Sequence, residues 1–292
     1  MAIFQKAYQG YDGQLRPPSM RWWVIFRYAV NDLFQSRMYG SRLFTAFYVL
    51  CFVPTFALMG IIYARNNVEM LFDVEIPGEE IFSIDAEFFL IWMQGPHLFM
   101  IMALVIIVGP ALISPDMRNN AMPLYLSRSI SKSSYIGGKL LVLIALGSTI
   151  TWIPGLLLIF FQASMADTGW FTKNQHLPFA AAASSLLAIV CLSMLSLAVS
   201  ACVQWKAIAR LTFFGIVFIL SAFSKAVQQT IDGWAANIFS LLEIADALVS
   251  QFYGVNGSGL IPLPVAITMV VIVTTIAAII LVRRIRAYEV VA

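Results

Sequence analysis

Long apolar runs separated by short polar segments dominate the pattern of the chain. Six runs are continuous enough to be interpreted as helices: Leu43–Tyr63, Phe88–Ile113, Leu140–Phe161, Pro178–Val203, Ala207–Ser224 and Pro262–Val282. A helix rises about 1.5 Å per residue, so roughly 20 apolar residues cross the hydrocarbon core of a bilayer. The run with Arg210 one turn from its start is the shortest, at 18 residues. The pattern predicts an all-α integral membrane protein with six transmembrane helices.

The segment before the first run has the pattern of an amphipathic helix. Pro17-Pro18-Ser19 is a helix-start signal, and apolar residues from Trp22 to Leu33 then recur with helical spacing. Tryptophan and arginine on such a helix suit the cytoplasmic membrane interface, with the apolar face expected to point toward lipid. We predict an interfacial helix over Ser19–Tyr39, which either anchors the chain or also contacts a partner.

The segment Lys225–Ile261, before the last run, is too apolar for a simple loop. It is interrupted by Asp232, Glu243 and Asp246, and it is too short to cross a membrane twice. Irregular backbone at membrane depth has to be shielded by protein. We therefore predict a re-entrant or interfacial helical hairpin at this position.

Composition supports the membrane assignment and excludes other classes. Apolar residues make up 60% of the chain and charged residues 11%, against about 45–50% and 25% in soluble domains. The net charge of +3 is too small to indicate a nucleic-acid partner. Cys51, Cys191 and Cys202 lie in apolar runs without a C-x-x-C motif, so they are interpreted as core residues.

Basic residues are distributed unevenly between the two sides of the predicted bundle. With the N-terminus in the cytoplasm, the outward-facing segments keep only Arg65, Lys173 and Lys225 of the 18 Lys and Arg residues. Cytoplasmic segments carry the excess of Lys and Arg, so both termini are predicted to be cytoplasmic. We expect the first run to act as an uncleaved signal. The predicted single transmembrane domain comprises a tail (1–42), a six-span bundle (43–282) and a second tail (283–292).

The cytoplasmic segment between the second and third runs carries apolar residues that a loop does not need. Asp116 and Arg118 are predicted to open a short helical stretch, and Met122, Leu124, Tyr125 and Leu126 follow. Apolar side chains at such a surface usually mark a docking contact.

This segment, ISPDMRNNAMPLYLSRSISKSSYIGGK, resembles the loop after the second span of ABC-2 type permeases, the membrane subunits of one class of ABC transporter. That loop typically has an acidic residue and Arg, a turn residue, Leu-x-Leu-Ser-Arg-Pro, a basic residue, an aliphatic or Tyr position and Gly-Lys. The matching positions here are Asp116, Arg118, Leu124, Leu126, Ser127, Arg128, Lys132, Tyr135, Gly138 and Lys139. The sequence departs at Asn119-Asn120, where Gly-Thr is frequent, and at Ser129, where Pro is common.

The resemblance implies a division of labour between chains. Such permeases dimerise above two ATP-hydrolysing subunits, and the loop transmits the closure of those subunits. The residues implied to contact the ATPase are Asp116, Arg118, Leu124, Tyr125, Leu126, Arg128 and Lys132. In this chain Gly138-Lys139 lacks the rest of a Walker motif, because Ser133 and Leu140 stand at the Gly and Ser/Thr positions. We expect no enzymatic activity here, with ATP and Mg²⁺ bound by the partner.

Candidate chemistry within the runs is sparse. The sequence has two histidines and neither an H-E-x-x-H nor a G-x-S-x-G motif. A translocation path is predicted to be lined by Trp92, Gln94, His97, Phe214, Phe218 and Ser221. The methionines Met93, Met100 and Met102 near His97 leave a Cu(I) path as a less favoured alternative.

The rarity of charge within the runs separates the functional classes. Apart from Arg210 the six runs contain no Asp, Glu, Lys or Arg, whereas ion-coupled carriers usually keep intramembrane ionisable groups. This rarity disfavours an ion-driven carrier and favours a subunit powered from outside the membrane. The resemblance to ABC-2 type permeases then implies a permease subunit of an ATP-driven exporter, as a homo- or heterodimer in a bacterial inner membrane. The alternative is a membrane anchor or assembly subunit that moves no substrate.

Overall fold

The computed structural model describes residues 20–35, 41–67, 84–127, 130–166, 169–230, 233–255 and 261–285, and within these ranges it contains helices and turns but no strand. The α-helices in chain order are α1 (Arg21–Gln35), α2 (Ser41–Leu50), α3 (Val53–Asn66), α4 (Ala86–Trp92), α5 (Leu98–Arg118), α6 (Met122–Ser127), α7 (Lys132–Ile150), α8 (Trp152–Met165), α9 (Trp170–Lys173), α10 (Leu177–Cys202), α11 (Lys206–Gln228), α12 (Leu241–Phe252) and α13 (Leu263–Arg284). A π-helical turn (Met93–His97) joins α4 to α5, and a 3₁₀-helix (Trp234–Phe239) precedes α12.

Six helical segments among the described residues are long and apolar enough to cross a membrane, which confirms the predicted number. We call them spans 1 to 6: Arg42–Asn66, Ala86–Arg118, Lys132–Met165, Leu177–Cys202, Lys206–Gln228 and Leu263–Arg284. Each overlaps its predicted run, and span 5 has 23 residues rather than the predicted 18. It is longer because hydropathy locates the apolar part of a helix, whereas helical hydrogen bonding continues into polar residues at the ends.

Prolines mark the irregular points of the first three spans. Pro54 lies in the first turn of α3, Pro96 in the π-helical turn and Pro154 near the start of α8. Proline has no N–H group and its ring clashes with the preceding turn, so it is tolerated where a helix restarts. Spans 1 and 3 are therefore each built from two helical pieces.

Helix α10 forms the centre of the bundle and packs against α5, α7, α8, α11, α12 and α13. Its sequence is rich in alanine and serine, and small residues let the backbones of membrane helices approach closely. One such approach is at Gly109 of α5, where an added Cβ would lie 2.1 Å from Ser196 Oγ. Even alanine is too large at this crossing.

Ser200 of α10 supports a part of α5 that contains two prolines. Its Oγ accepts a hydrogen bond from the N–H of Ser114 (2.9 Å) and donates one to the carbonyl of Pro110 (3.1 Å). The Ser114 hydroxyl donates in turn to the Ser200 carbonyl (3.1 Å). Backbone polar groups inside a membrane have to be satisfied by the protein. The serine pair therefore ties α10 by hydrogen bonds to the part of α5 that contains Pro110 and Pro115.

The alternating direction of the spans brings most of the basic residues to one end of the bundle. Arg42, Arg118, Lys132, Lys206 and Arg283 all lie at the ends of spans on this side. We call it the basic end. Its core includes buried side chains from α1, α5, α7, α10 and α13.

Helix α1 lies along α7, and its described residues fall within the predicted range Ser19–Tyr39. The predicted apolar face needs a correction, because Ile25 makes the buried contact and Trp22 is 38% exposed. Leu33 is buried as the pattern indicates, whereas Trp23 and Tyr28 are exposed. The helix is therefore held mainly by its own bundle, with aromatic side chains on its outer face.

The described part of the segment before span 6 is helical but interrupted, and it consists of the 3₁₀-helix and α12. Helix α12 packs against α10, α11 and α13. Its buried residues include Leu241, Ile244, Ala247 and Leu248, whereas Trp234 of the 3₁₀-helix is 38% exposed.

Some predictions fall outside the described residues. These are the limits of the predicted N-terminal helix at Ser19 and Tyr39, and Arg128 of the motif.

Candidate functional site at the basic end

The connection between spans 2 and 3 is a compact, hydrogen-bonded unit. Helix α5 continues through Asp116 and Arg118, so these residues end span 2 and do not open a new helix as predicted. The backbone then turns at Asn120, whose φ is +50°, a conformation that asparagine tolerates better than most residues. The N–H of Ala121 bonds the carbonyl of Asp116 (2.9 Å), and α6 begins at Met122.

The carboxylate of Asp116 joins the end of span 2 to the start of span 3. The Tyr135 hydroxyl donates to Asp116 Oδ2 (2.6 Å), and Lys139 Nζ lies 3.0 Å from the same oxygen. Tyr135 is fully buried and Lys139 is 8% exposed. A charge pair with little access to water is a strong contact only when its geometry is good and further hydrogen bonds satisfy the charged groups. The Tyr135 hydroxyl supplies such a hydrogen bond to the Asp116 carboxylate. We call Asp116, Tyr135 and Lys139 the polar clamp.

Helix α6 rests on the polar clamp with one face inward and one face outward. The ring of Tyr125 packs on that of Tyr135 at a centroid distance of 5.4 Å, and Met122 is buried. Burial raises the pKa of the Tyr125 hydroxyl, and the nearby Asp116 charge raises it further. Leu124 is 67% exposed. Of the predicted apolar contact, Leu124 therefore faces outward and Tyr125 inward.

Helix α1 closes the polar clamp from a second side. Gly138 of α7 is the crossing point, since a Cβ there would lie 3.0 Å from both the Trp22 carbonyl oxygen and Ile25 Cβ. A cavity of about 100 Å³ remains between α1, α5 and α7, and its lining includes Asp32, Asp116 and Lys139. The short α6 helix, both flanking spans and α1 thus form one packed unit.

The other predicted contact residues lie around this unit. The Arg118 guanidinium stacks over the ring of Trp205 at 4.1 Å, an interaction that the sequence did not indicate. Lys132 is exposed at the start of α7, whose first turn is capped by the Ser131 hydroxyl. The side chain of Leu126 lies outside the described ones.

The predicted path residues of span 2 lie on the π-helical turn and next to it, nearer the opposite end of the bundle. The rings of Trp92 and His97 meet edge to face at 4.1 Å, and both residues are buried. His97 Nδ1 is 3.2 Å from the Trp92 carbonyl, and no described group bonds its Nε2. Gln94 donates from Nε2 to the Ser250 hydroxyl of α12 (2.6 Å). This turn therefore binds the segment that precedes span 6.

The predicted path residues of span 5 lie on a different surface. Phe214 and Phe218 pack against each other at 4.1 Å and are 43% and 41% exposed on the outside of the bundle. The Ser221 hydroxyl bonds that of Ser240 (3.0 Å). The six predicted path residues therefore do not share one surface. Phe214 and Phe218 lie on the outer face, whereas Ser221, like the three residues of span 2, makes its contacts within the chain.

The methionines that lie near His97 in sequence pack into different parts of the bundle. Met93 and Met102 belong to different clusters of buried side chains, although both lie near His97 in sequence. No described group of three or more His, Cys, Asp or Glu side chains could hold a metal ion.

The fold and its apolar spans define a six-helix membrane protein with a packed unit at its basic end. No family model, curated protein or solved structure matches the chain.

Proposed function

We propose that the chain is the permease subunit of an ABC transporter of the ABC-2 type, acting as an exporter. The single observation that carries the proposal is α6, a short helix fixed to two spans by the polar clamp and presenting Leu124 to solvent. Coupling to an ATPase requires a contact whose displacement reaches the spans without being absorbed by a soft loop. The polar clamp meets this requirement, and it coincides with the motif that resembles the coupling loop of these permeases.

In this proposal the basic end faces the cytoplasm and the ATPase docks beneath α6. The excess of Lys and Arg at that end supports this orientation in a bacterial inner membrane. Leu124 inserts into the partner, and exposed cations around it, including Lys132, pair with acidic groups there. ATP and Mg²⁺ bind to the partner, which carries out the hydrolysis. Helix α1 lies beside α6 and at the membrane interface, where Trp23 and Tyr28 face the headgroups.

We further propose that two copies, or this chain and a paralogue, form the translocation path between them. In the most apolar 18-residue stretch of span 5, only 22% of the residues are buried within the chain. A large apolar surface therefore remains for a second copy. Phe214 and Phe218 lie on this surface. A path between copies would be lined by these outward-facing residues, with Trp92 and His97 supporting it from within each copy.

The test is co-purification from native membranes with an affinity tag on this chain. We expect an ATPase with a Walker motif to co-purify at about one copy per permease, and Leu124→Asp to remove it. Burying an aspartate in place of an apolar anchor costs about 2 kcal/mol or more, a reduction in affinity of at least about 30-fold. Leu124→Met is the matched control and should keep the partner. Tyr125→Asp is a poorer test, because it also disrupts packing on Tyr135.

Two results would contradict the proposal. One is wild-type protein that elutes without any ATPase, which would favour the alternative of a membrane anchor or assembly subunit. The other is an ATPase that binds Leu124→Asp as well as wild type. Equal elution volumes of the Leu124→Asp and Leu124→Met variants would show that both are folded.

A further inference from the structure

A groove of about 700 Å³ opens on the outer surface of span 1 near the basic end. Its lining includes Phe34, Arg42, Ala46, Val49, Leu50 and Val53. Five of these residues follow one another at intervals of mostly three or four, so they form a stripe along one side of span 1. The volume is in the range of sites that hold small organic ligands, about 300–1,000 Å³.

The walls of the groove are fixed by the fold. Phe34 comes from α1 and forms one side, held by ring contacts to Phe44 (5.3 Å) and Tyr48 (5.8 Å) of span 1. Phe44 is buried, so the inner face of α2 is committed to the bundle. The outward stripe is open, with Val49 and Leu50 61% and 62% exposed. The groove is thus an open apolar surface that runs along the helix from the basic end.

Among the described residues that line the groove, charge is present at one end. Arg42 is the one basic residue of this described lining, and the other residues are almost entirely apolar. Guanidinium groups bind phosphate with several donors at once. An elongated apolar groove ending in a guanidinium at the membrane boundary matches an amphiphile with an acyl chain and an anionic head.

We propose that this groove binds an anionic phospholipid, with one acyl chain along the Ala46–Val53 stripe and the phosphate at Arg42. A second copy of the chain is a poorer occupant. A two-fold contact through the groove would bring Arg42 of each copy to the same end of the interface, where like charges repel. The proposal requires only that the chain spans a membrane, so it stands or falls independently of a permease function.

Native mass spectrometry of the purified full chain tests the proposal. The protein is equilibrated in detergent with equal amounts of dioleoyl phosphatidylglycerol and dioleoyl phosphatidylcholine, and the bound lipids are counted. We expect wild type to retain the phosphatidylglycerol about fivefold in preference, the effect of one Arg at a membrane surface. Arg42→Gln should abolish this preference and Arg42→Lys should keep most of it. Ala46→Phe, which fills the groove, should lower the number of lipids bound.

Arg283→Gln is the matched control, because Arg283 lies at the same end of the bundle on span 6. A wild-type protein without preference, or equal losses in Arg42→Gln and Arg283→Gln, would overturn the proposal in favour of diffuse charge attraction. A second copy in the groove would instead give rapid disulfide-linked dimers of Ala46→Cys in membranes. That assay uses a Cys202→Ser background, since the other native cysteines are buried. Such dimers would also overturn the proposal.

Discussion

Gly137 and Gly138 offer a matched pair of substitutions that tests the packing of α1 on α7. Both lie in the interior of the same helix, so Gly→Ala favours the helix by about 0.8–1 kcal/mol at either position. A Cβ on Gly137 meets nothing within 4 Å. A Cβ on Gly138 lies 3.0 Å from the Trp22 carbonyl oxygen, a backbone atom that moves only if α1 moves. Overpacking of this kind costs about 1–3 kcal/mol.

The predicted outcome is a difference of about 1–3 kcal/mol between Gly137→Ala and Gly138→Ala in the free energy that keeps α1 attached. Amide hydrogen exchange measures it locally, because the opening of one element is reported by its own amides. In Gly138→Ala the protection of residues 21–35 should fall about fivefold or more relative to Gly137→Ala. Protection of the central helix, Leu177–Cys202, should be equal in the two variants.

Two results would refute this reasoning. Equal protection of residues 21–35 in both variants would mean that α1 is not held at this crossing. A loss spread evenly over all spans would mean that Gly138 contributes to global stability and not to the attachment of one helix.

The remaining predictions concern polar contacts within the bundle. Asp116→Asn should lower the melting temperature, because it leaves the Lys139 cation buried without its counter-charge. Adding Lys139→Met to the same chain should restore most of the loss. Tryptophan fluorescence on heating measures both effects. Burial raises the pKa of the Asp246 carboxyl, and the nearby charge of Glu243 raises it further. The folded state therefore binds the carboxyl proton more tightly than the unfolded state does. At pH values above the ordinary pKa of 3.8, Asp246 consequently lowers the stability of the protein. Asp246→Asn should therefore raise the melting temperature at pH 7, and this gain should shrink as the pH falls toward 4. Ser200→Ala should destabilise the protein by about 1–2 kcal/mol in a denaturant titration, since two of the hydrogen bonds to α5 are lost.

The sequence predicted the six spans well because their hydropathy is a property of each run alone. It could not predict the polar clamp, since Asp116 and Tyr135 lie 19 residues apart and only the packing of two spans brings them together. Asp116 was therefore expected to face a partner, whereas its carboxylate is engaged within the chain. Gly138 belonged to the recognised motif, but a glycine needed for a close helix crossing has the same sequence signature as a glycine in a turn.

The sequence also could not predict what covers the apolar face of α1. Helical periodicity shows that apolar residues share a side, but it does not show whether lipid or protein covers that side. The structure answers this for Ile25 and Leu33, which are buried in the bundle. The same limit applies to Phe214 and Phe218, whose spacing is that of any apolar helix.

The contacts of span 1 have a consequence for how the protein is made. The most apolar window of this span is only 17% buried, and its partners include span 3: the Tyr48 hydroxyl bonds Thr149, and Asn66 Nδ2 donates to Gln162 Oε1 (2.8 Å). Helix α1 likewise packs on the first half of span 3. A growing chain emerges from its N-terminus. Span 1 and α1 therefore lack these contacts until residues 132–165 have been synthesised. These contacts therefore form only after more than half of the chain has been synthesised, because they require the third span, which ends at Met165.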